Sequence, residues 1–168
     1  MAVIVNKTKE NIEYWAAGCT LHPCVSDYIK TVSIILHRDY PKLKCQDFDQ
    51  IYAWDADSYE KVKNKCHNAE TVDLVMGLDK GKMLLVEAKL DVKNVDNLKG
   101  ELEAKIRHTK DYLVSSDNFR GLISPSIVLF SHDNFEVKKT RFRKMRNNKV
   151  DINPMTLSTF FDSYFKKR

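Results

Sequence analysis

The apolar positions of this chain follow two different periods. "KENIEYWAAG" reads as a helix that closes at Gly18, a residue suited to a helix C-terminus. In "CVSDYIKTVSIILHRDY", Val25, Tyr28, Ile29, Val32, Ile35 and Leu36 are spaced 3, 1, 3, 3 and 1 apart. That stripe predicts a second helix, ended by Pro41. "FDQIYAW" predicts a strand or an extended edge, and "SYEKVKNKCHN" a polar connection of unassigned form.

The centre changes period. "ETVDLVMGL" and "KMLLVEAKL" are apolar runs of strand length, rich in Val, Leu and Met, and separated by Asp79-Lys80-Gly81. This predicts a hairpin in which the glycine supplies a positive φ. "VDNLKGELEAKIRHTKDYL" then puts Val95, Leu98, Leu102, Ile106 and Leu113 on one face, with Thr109 in the gap and Glu101 four residues before Lys105. That is an amphipathic helix with an i,i+4 ion pair. "SPSIVLFSHD" predicts a buried strand, and "DINPMTLSTFFDSYF" a short extended piece followed by a terminal helix. The order α, α, β, β, β, α, β, α predicts an α/β fold, a central mixed β-sheet flanked by α-helices.

With five glycines, four prolines, no repeat and no Gly/Ser linker, residues 1–168 are expected to form one domain. A hydrophobic share of 43% beside 30% charged residues describes a soluble globular chain and excludes a disordered one. A net charge of +5 favours an anionic partner such as nucleic acid. No run of about 18 apolar residues is present, which excludes a helical membrane span. "MAVIVNKTKENIEYW" has no basic stretch before its short apolar patch, so the expected location is cytoplasmic, without a cleaved leader.

Cys19, Cys24, Cys45 and Cys66 are then expected to be thiols. A zinc site from Cys19, His22, Cys24 and Cys66 is an alternative, but the chain has neither a C-x2-C nor an H-x3-H pair, and scattered thiols are preferred.

Two features of the hairpin are out of place in a strand pair built for stability alone. Asp73 opens the first apolar run, and Glu87 and Lys89 end the second. Alternation puts Glu87 and Lys89 on one face of their strand, with Val86, Ala88 and Leu90 on the other. The hairpin can bring Asp73 opposite them. Two adjacent carboxylates repel, and a divalent cation resolves the conflict, since hard oxygen ligands suit Mg²⁺ or Mn²⁺. A lysine beside the ion can hold an attacking water and offset charge building on a phosphate.

The pattern Asp-x13-Glu-x-Lys, "DLVMGLDKGKMLLVEAK", resembles the central signature of the PD-(D/E)xK nuclease superfamily. The resemblance implies a restriction-endonuclease-like core in the order α-β-β-β-α-β. It would occupy about residues 23–133, with an N-terminal helical and a C-terminal basic and helical extension. It implies that Asp73 and Glu87 bind Mg²⁺ or Mn²⁺, that the Ala88 carbonyl adds a ligand, and that Lys89 serves the water. It further implies an acid from the first helix, for which Glu13 or Asp27 are candidates, and a polar residue from the helix after the Glu-x-Lys strand, Glu101 or Lys105. The family's proline before the aspartate is absent, Val72 standing there, and Glu70 is a nearby substitute acid.

The plainer alternative makes Asp73, Glu87 and Lys89 cross-strand ion pairs on a solvated sheet face, worth about 0.2–1 kcal/mol each. Lys138, Lys139, Arg141, Arg143, Lys144 and Arg146 form a basic cluster, with Phe142 and Met145 interleaved. It either tracks a phosphate backbone or forms a solvated face. His22, His37, His67, His108 and His132 read as satisfied or surface histidines, and Tyr14, Trp15, Tyr28, Trp54 and Tyr59 as packing residues.

The expected function is that of a metal-dependent nuclease acting on DNA, or less favourably RNA. The alternative is an inactive nuclease-fold protein that binds nucleic acid or a protein, for instance in a toxin or defence system. A homodimer or protein partner would supply specificity.

Overall fold

A computed structural model describes residues 7–19, 24–65, 70–145 and 150–166. Six strands form one mixed open sheet: β1 (Ile29–Thr31), β2 (Tyr52–Asp55), β3 (Leu74–Gly77), β4 (Met83–Lys89), β5 (Ser126–Phe130) and β6 (Ile152–Met155), lying side by side in chain order. The first four are antiparallel, while β5 runs parallel to β4 and β6 parallel to β5. The helices are α1 (Thr8–Ala17), α2 (Val32–Asp39), α3 (Ala56–Lys63), α4 (Leu98–Val114), α5 (Phe135–Lys144) and α6 (Leu157–Tyr164). The fold is α/β, as the pattern of elements predicts.

Alternation along β4 divides the core in two. Leu84, Val86 and Ala88 join Ile35 and Leu36 of α2 and Phe160 of α6 on one face. Met83 and Leu85 join Ile12 and Trp15 of α1 and Ile106 and Leu113 of α4 on the other. Further along that second face, Leu98 and Leu102 of α4 pack with Val128, Phe130 and Phe142. The predicted stripe on α4 is therefore its buried side, Thr109 included. Trp15, Trp54, Tyr59 and Tyr112 stack together in the second core, with the two tryptophan rings 5.3 Å apart. Tyr14 instead lies 44% exposed, with Arg120 over its ring.

One element differs from expectation, and two take forms that the pattern leaves open. The stripe from Val25 to Leu36 is not one helix but a 3-10 turn (Val25–Tyr28), β1 and α2. The same apolar residues are buried or half-buried either way, so their spacing is satisfied by two geometries. Pairing of Ile29 and Thr31 with Trp54 and Tyr52, together with β-branching at both, decides for a strand. Of the two forms open to "FDQIYAW", the strand is the one present, as β2, and it is interior because β1 covers its outer side. The polar segment after it begins as α3, whose N-terminus is capped by Asp55 accepting from Ser58 N at 3.1 Å and whose last turn carries Lys61 and Lys63. Its final residues, 66–68, lie outside the described residues. The basic segment after β5 is helical, as α5.

The hairpin forms as expected. Gly77 pairs with Met83, and a 3-10 turn over Asp79–Gly81 puts Gly81 at φ +72°, with Lys80 also left-handed at +61°. The start of α1 lies against β3: Thr8 Oγ1 donates to Tyr52 O at 2.8 Å and accepts from Gly77 N at 2.9 Å. A Cβ on Gly77 would come within 2.7 Å of Lys7 O and Thr8 Cα, both backbone. Gly77→Ala is accordingly expected to destabilise by about 1–3 kcal/mol. Gly100→Ala, in open space on α4, is expected to stabilise by roughly 0.5–1 kcal/mol. Urea midpoints of the two variants measure both, and equal shifts would disprove the close approach of α1.

Candidate active site

The register of β3 and β4 positions the acids. Leu74 pairs with Val86, so Asp73, one residue before β3, falls opposite Glu87. The two are tied reciprocally: Asp73 N donates to Glu87 Oε2 at 3.1 Å, and Ala88 N donates to Asp73 Oδ2 at 2.9 Å. The chain departs from the ladder here. Val72, which would continue β3 opposite Ala88, turns to α4, where its N–H donates to Thr109 Oγ1 at 2.9 Å. Ala88 thereby has no strand partner on its β3 side, and side chains take that place.

Two lysines converge on the same carboxylate. Lys105 of α4 reaches Glu87 Oε1 at 2.8 Å and Lys89 reaches it at 3.1 Å, while Lys89 also bonds Glu101 Oε1 at 2.9 Å. Glu87 is only 2% exposed, so this is a buried acid compensated by two half-buried cations. Burial works against both ammonium groups, but Glu87 outweighs it and holds Lys105 and, with Glu101, Lys89 above the usual lysine range. Asp73 has no such cation bonded to it. Burial, and then the charge of Glu87, push its carboxyl up to about 7.

The sequence candidates therefore separate. Asp73, Glu87, Lys89, Glu101 and Lys105 form one connected group. Glu70 lies 3.6 Å from His108 Nδ1, whose Nε2 is 2.6 Å from the buried Glu60, so His108 is a paired histidine. Burial raises the Glu60 pKa, but His108 and the N–H groups of Glu70 and Thr71 outweigh it and hold that acid low. Glu13 lies exposed on α1 and Asp27 exposed in the first 3-10 turn.

A set of residues near the site carries no sequence motif. Asp55 and Asp57 are both buried, and Arg38 bridges them at 3.0 and 3.6 Å, with Lys61 at 2.7 Å from Asp57. The charge of Asp57 adds to the upward push on Asp73. Tyr40, which follows α2, donates its hydroxyl to Ala88 O at 3.0 Å. The short "WDAD" and the residue before Pro41 are unremarkable in sequence, and only the sheet brings them to this edge.

The donor set suits a hard cation with few protein ligands. Asp73 and Glu87 supply carboxylate oxygens and Ala88 a carbonyl; Mg²⁺ keeps several waters and takes one or two carboxylates in such sites. Among the described residues, no group of three or more His, Cys, Asp or Glu is arranged to hold a metal. Of the alternative zinc residues, Cys19 and Cys24 are free thiols, and His22 and Cys66 lie outside the described residues.

On α5, Arg141, Arg143 and Lys144 are exposed, and Lys139 pairs with Glu136 at 3.3 Å. Lys138 differs: it is 8% exposed and donates to Ser131 Oγ at 2.8 Å. Arg146 lies outside the described residues. Among the described residues, no helix is long and apolar enough to cross a membrane. Compared with known proteins, the chain matches no family model, no curated protein and no solved structure.

The raised Asp73 carboxyl sets a pH dependence. Its folded value lies above the usual value of about 3.9, so its contribution to stability is complete only below about pH 4 and is lost as pH rises through 7. Asp73→Asn keeps an acceptor for Ala88 N and has no charge to develop. It is expected to raise stability at pH 8 by roughly 1–3 kcal/mol and to change it little at pH 4. Urea midpoints at the two pH values test this, and no gain at pH 8 refutes the repulsion.

Proposed function

We propose that this protein is a divalent-metal-dependent nuclease that hydrolyses phosphodiester bonds, of DNA ahead of RNA, on a restriction-endonuclease-like core. One observation carries this: two carboxylates, Asp73 just before β3 and Glu87 on β4, stand together with Lys89 where the departure of Val72 leaves Ala88 without a partner on its β3 side. The succession α2, β2, β3, β4, α4, β5, with β5 parallel to β4, supports the same core, α3 being inserted after β2.

Asp73 and Glu87 would hold Mg²⁺ or Mn²⁺, with Ala88 O as a third donor. When bound, the ion supplies Lewis-acid stabilisation of the phosphoryl oxygens and a more acidic water. The chain's own groups account for the rest. Lys89 and Lys105 neutralise Glu87 in the metal-free protein. Both remain beside it as cations able to offset charge on a phosphate, and Lys89 is the one aligned along the strand with the acid. Arg141, Arg143 and Lys144 on α5 offer an exposed cationic face for a phosphate backbone. The alternative, a nuclease fold that binds nucleic acid or a protein without cutting, is favoured by one fact. Glu87 Oε1 is already occupied by two lysines.

Cleavage of plasmid, single-stranded DNA and RNA with Mg²⁺ or Mn²⁺ distinguishes the two. Wild-type protein is expected to cut and chelator to stop it, while Glu87→Ala and Lys89→Ala are each expected to lose about 100-fold or more in rate. If nothing is cut, or the variants cut as fast as wild type, the nuclease assignment falls. Arg141→Ala with Lys144→Ala is expected to lower the slope of log affinity against log salt by about 2 for duplex DNA, one phosphate contact each. An unchanged slope removes α5 from the interface.

A further inference from the structure

Tyr40 makes a contact that the carboxylate pair does not require. Because Val72 leaves the ladder, Ala88 has no partner strand on its β3 side, and its two backbone groups are satisfied by side chains instead. Asp73 Oδ2 accepts from the N–H at 2.9 Å, and the Tyr40 hydroxyl donates to the carbonyl at 3.0 Å. The same hydroxyl accepts from Leu90 N, the next amide along that edge, at 3.3 Å. One phenol thus stands in for the missing strand over two residues.

The oxygen it caps belongs to Ala88, the residue next to Glu87 whose N–H is held by Asp73. A phenol is neutral at pH 7 and offers its hydrogen to Ala88 O. A divalent ion seeks the same oxygen and repels that hydrogen. The ring has space to move, since it lines a cleft of about 450 Å³ with Pro41, Leu43, Leu90 and Asp91.

We propose that Tyr40 is a positioning residue that closes the Ala88 carbonyl in the metal-free protein and is displaced when a divalent cation enters between Asp73 and Glu87. This rests on the metal-dependent function proposed above. The phenol competes with the ion for Ala88 O, and its displacement also takes the hydroxyl off Leu90 N.

Calorimetric titration of the full chain with Mn²⁺ at neutral pH tests the proposal. Tyr40→Phe, which keeps the ring, is expected to bind Mn²⁺ about three- to tenfold more tightly than wild type, the strength of one net hydrogen bond. Amide hydrogen exchange on wild type gives a readout that needs no variant: saturating Mn²⁺ is expected to accelerate exchange at Leu90. If Tyr40→Phe, folded by circular dichroism, binds Mn²⁺ equally or more weakly than wild type, the gate is overturned while the metal site stands. Unchanged Leu90 exchange on Mn²⁺ saturation overturns it too, and decides alone if the variant does not fold. If neither protein binds Mn²⁺, the metal-dependent function falls and the gate with it.

Discussion

Asp73, just before β3, and the buried Glu87 of β4 occupy facing positions, where their charges oppose one another. Much around them serves to hold that arrangement. Each carboxylate accepts a backbone N–H from the other's strand, which fixes both in place without removing the repulsion. Lys105 and Lys89 neutralise Glu87, and burial, then the charge of Glu87, leave Asp73 with a raised pKa. A sheet selected only for stability would place an apolar or oppositely charged partner at one of the two positions.

The geometry of the edge follows from where the chain before β3 goes. Glu60 accepts from the N–H groups of Glu70 and Thr71, and Thr109 from that of Val72, so the approach to Asp73 is fastened to α3 and α4 rather than paired with β4. That fastening leaves Ala88 without a partner on its β3 side and turns an ordinary ladder position into one reached by Asp73 and Tyr40. α4 contributes twice, since its apolar stripe seats it on the sheet while Glu101 and Lys105, on adjoining turns, reach the lysine and acid of β4. Burial of the stripe and placement of the charges are one constraint.

Parts of this were legible in the sequence. The hairpin was readable because its two apolar runs flank a turn with glycine in the left-handed region, and alternation then put Glu87 and Lys89 on one side. α4 was readable because its period is long and unbroken. The segment from Val25 to Leu36 was misread, since burial of a 3-10 turn, a short strand and a helix leaves the same apolar spacing as a single helix. Only pairing with β2 chooses between them.

The sequence by itself determined the alternation of apolar and polar positions, and with it the two faces of β4 and the buried side of α4. These depend on neighbours along one element, whose period is fixed by backbone geometry. Tertiary structure alone decided that Val72 leaves the ladder, that Arg38 joins Asp55 to Asp57, and that Tyr40 closes the Ala88 carbonyl. Tyr40 and Ala88 are 48 positions apart, and no local period relates them. They meet because α2 and β4 share the core on one face of the sheet, a relation set by packing rather than by spacing.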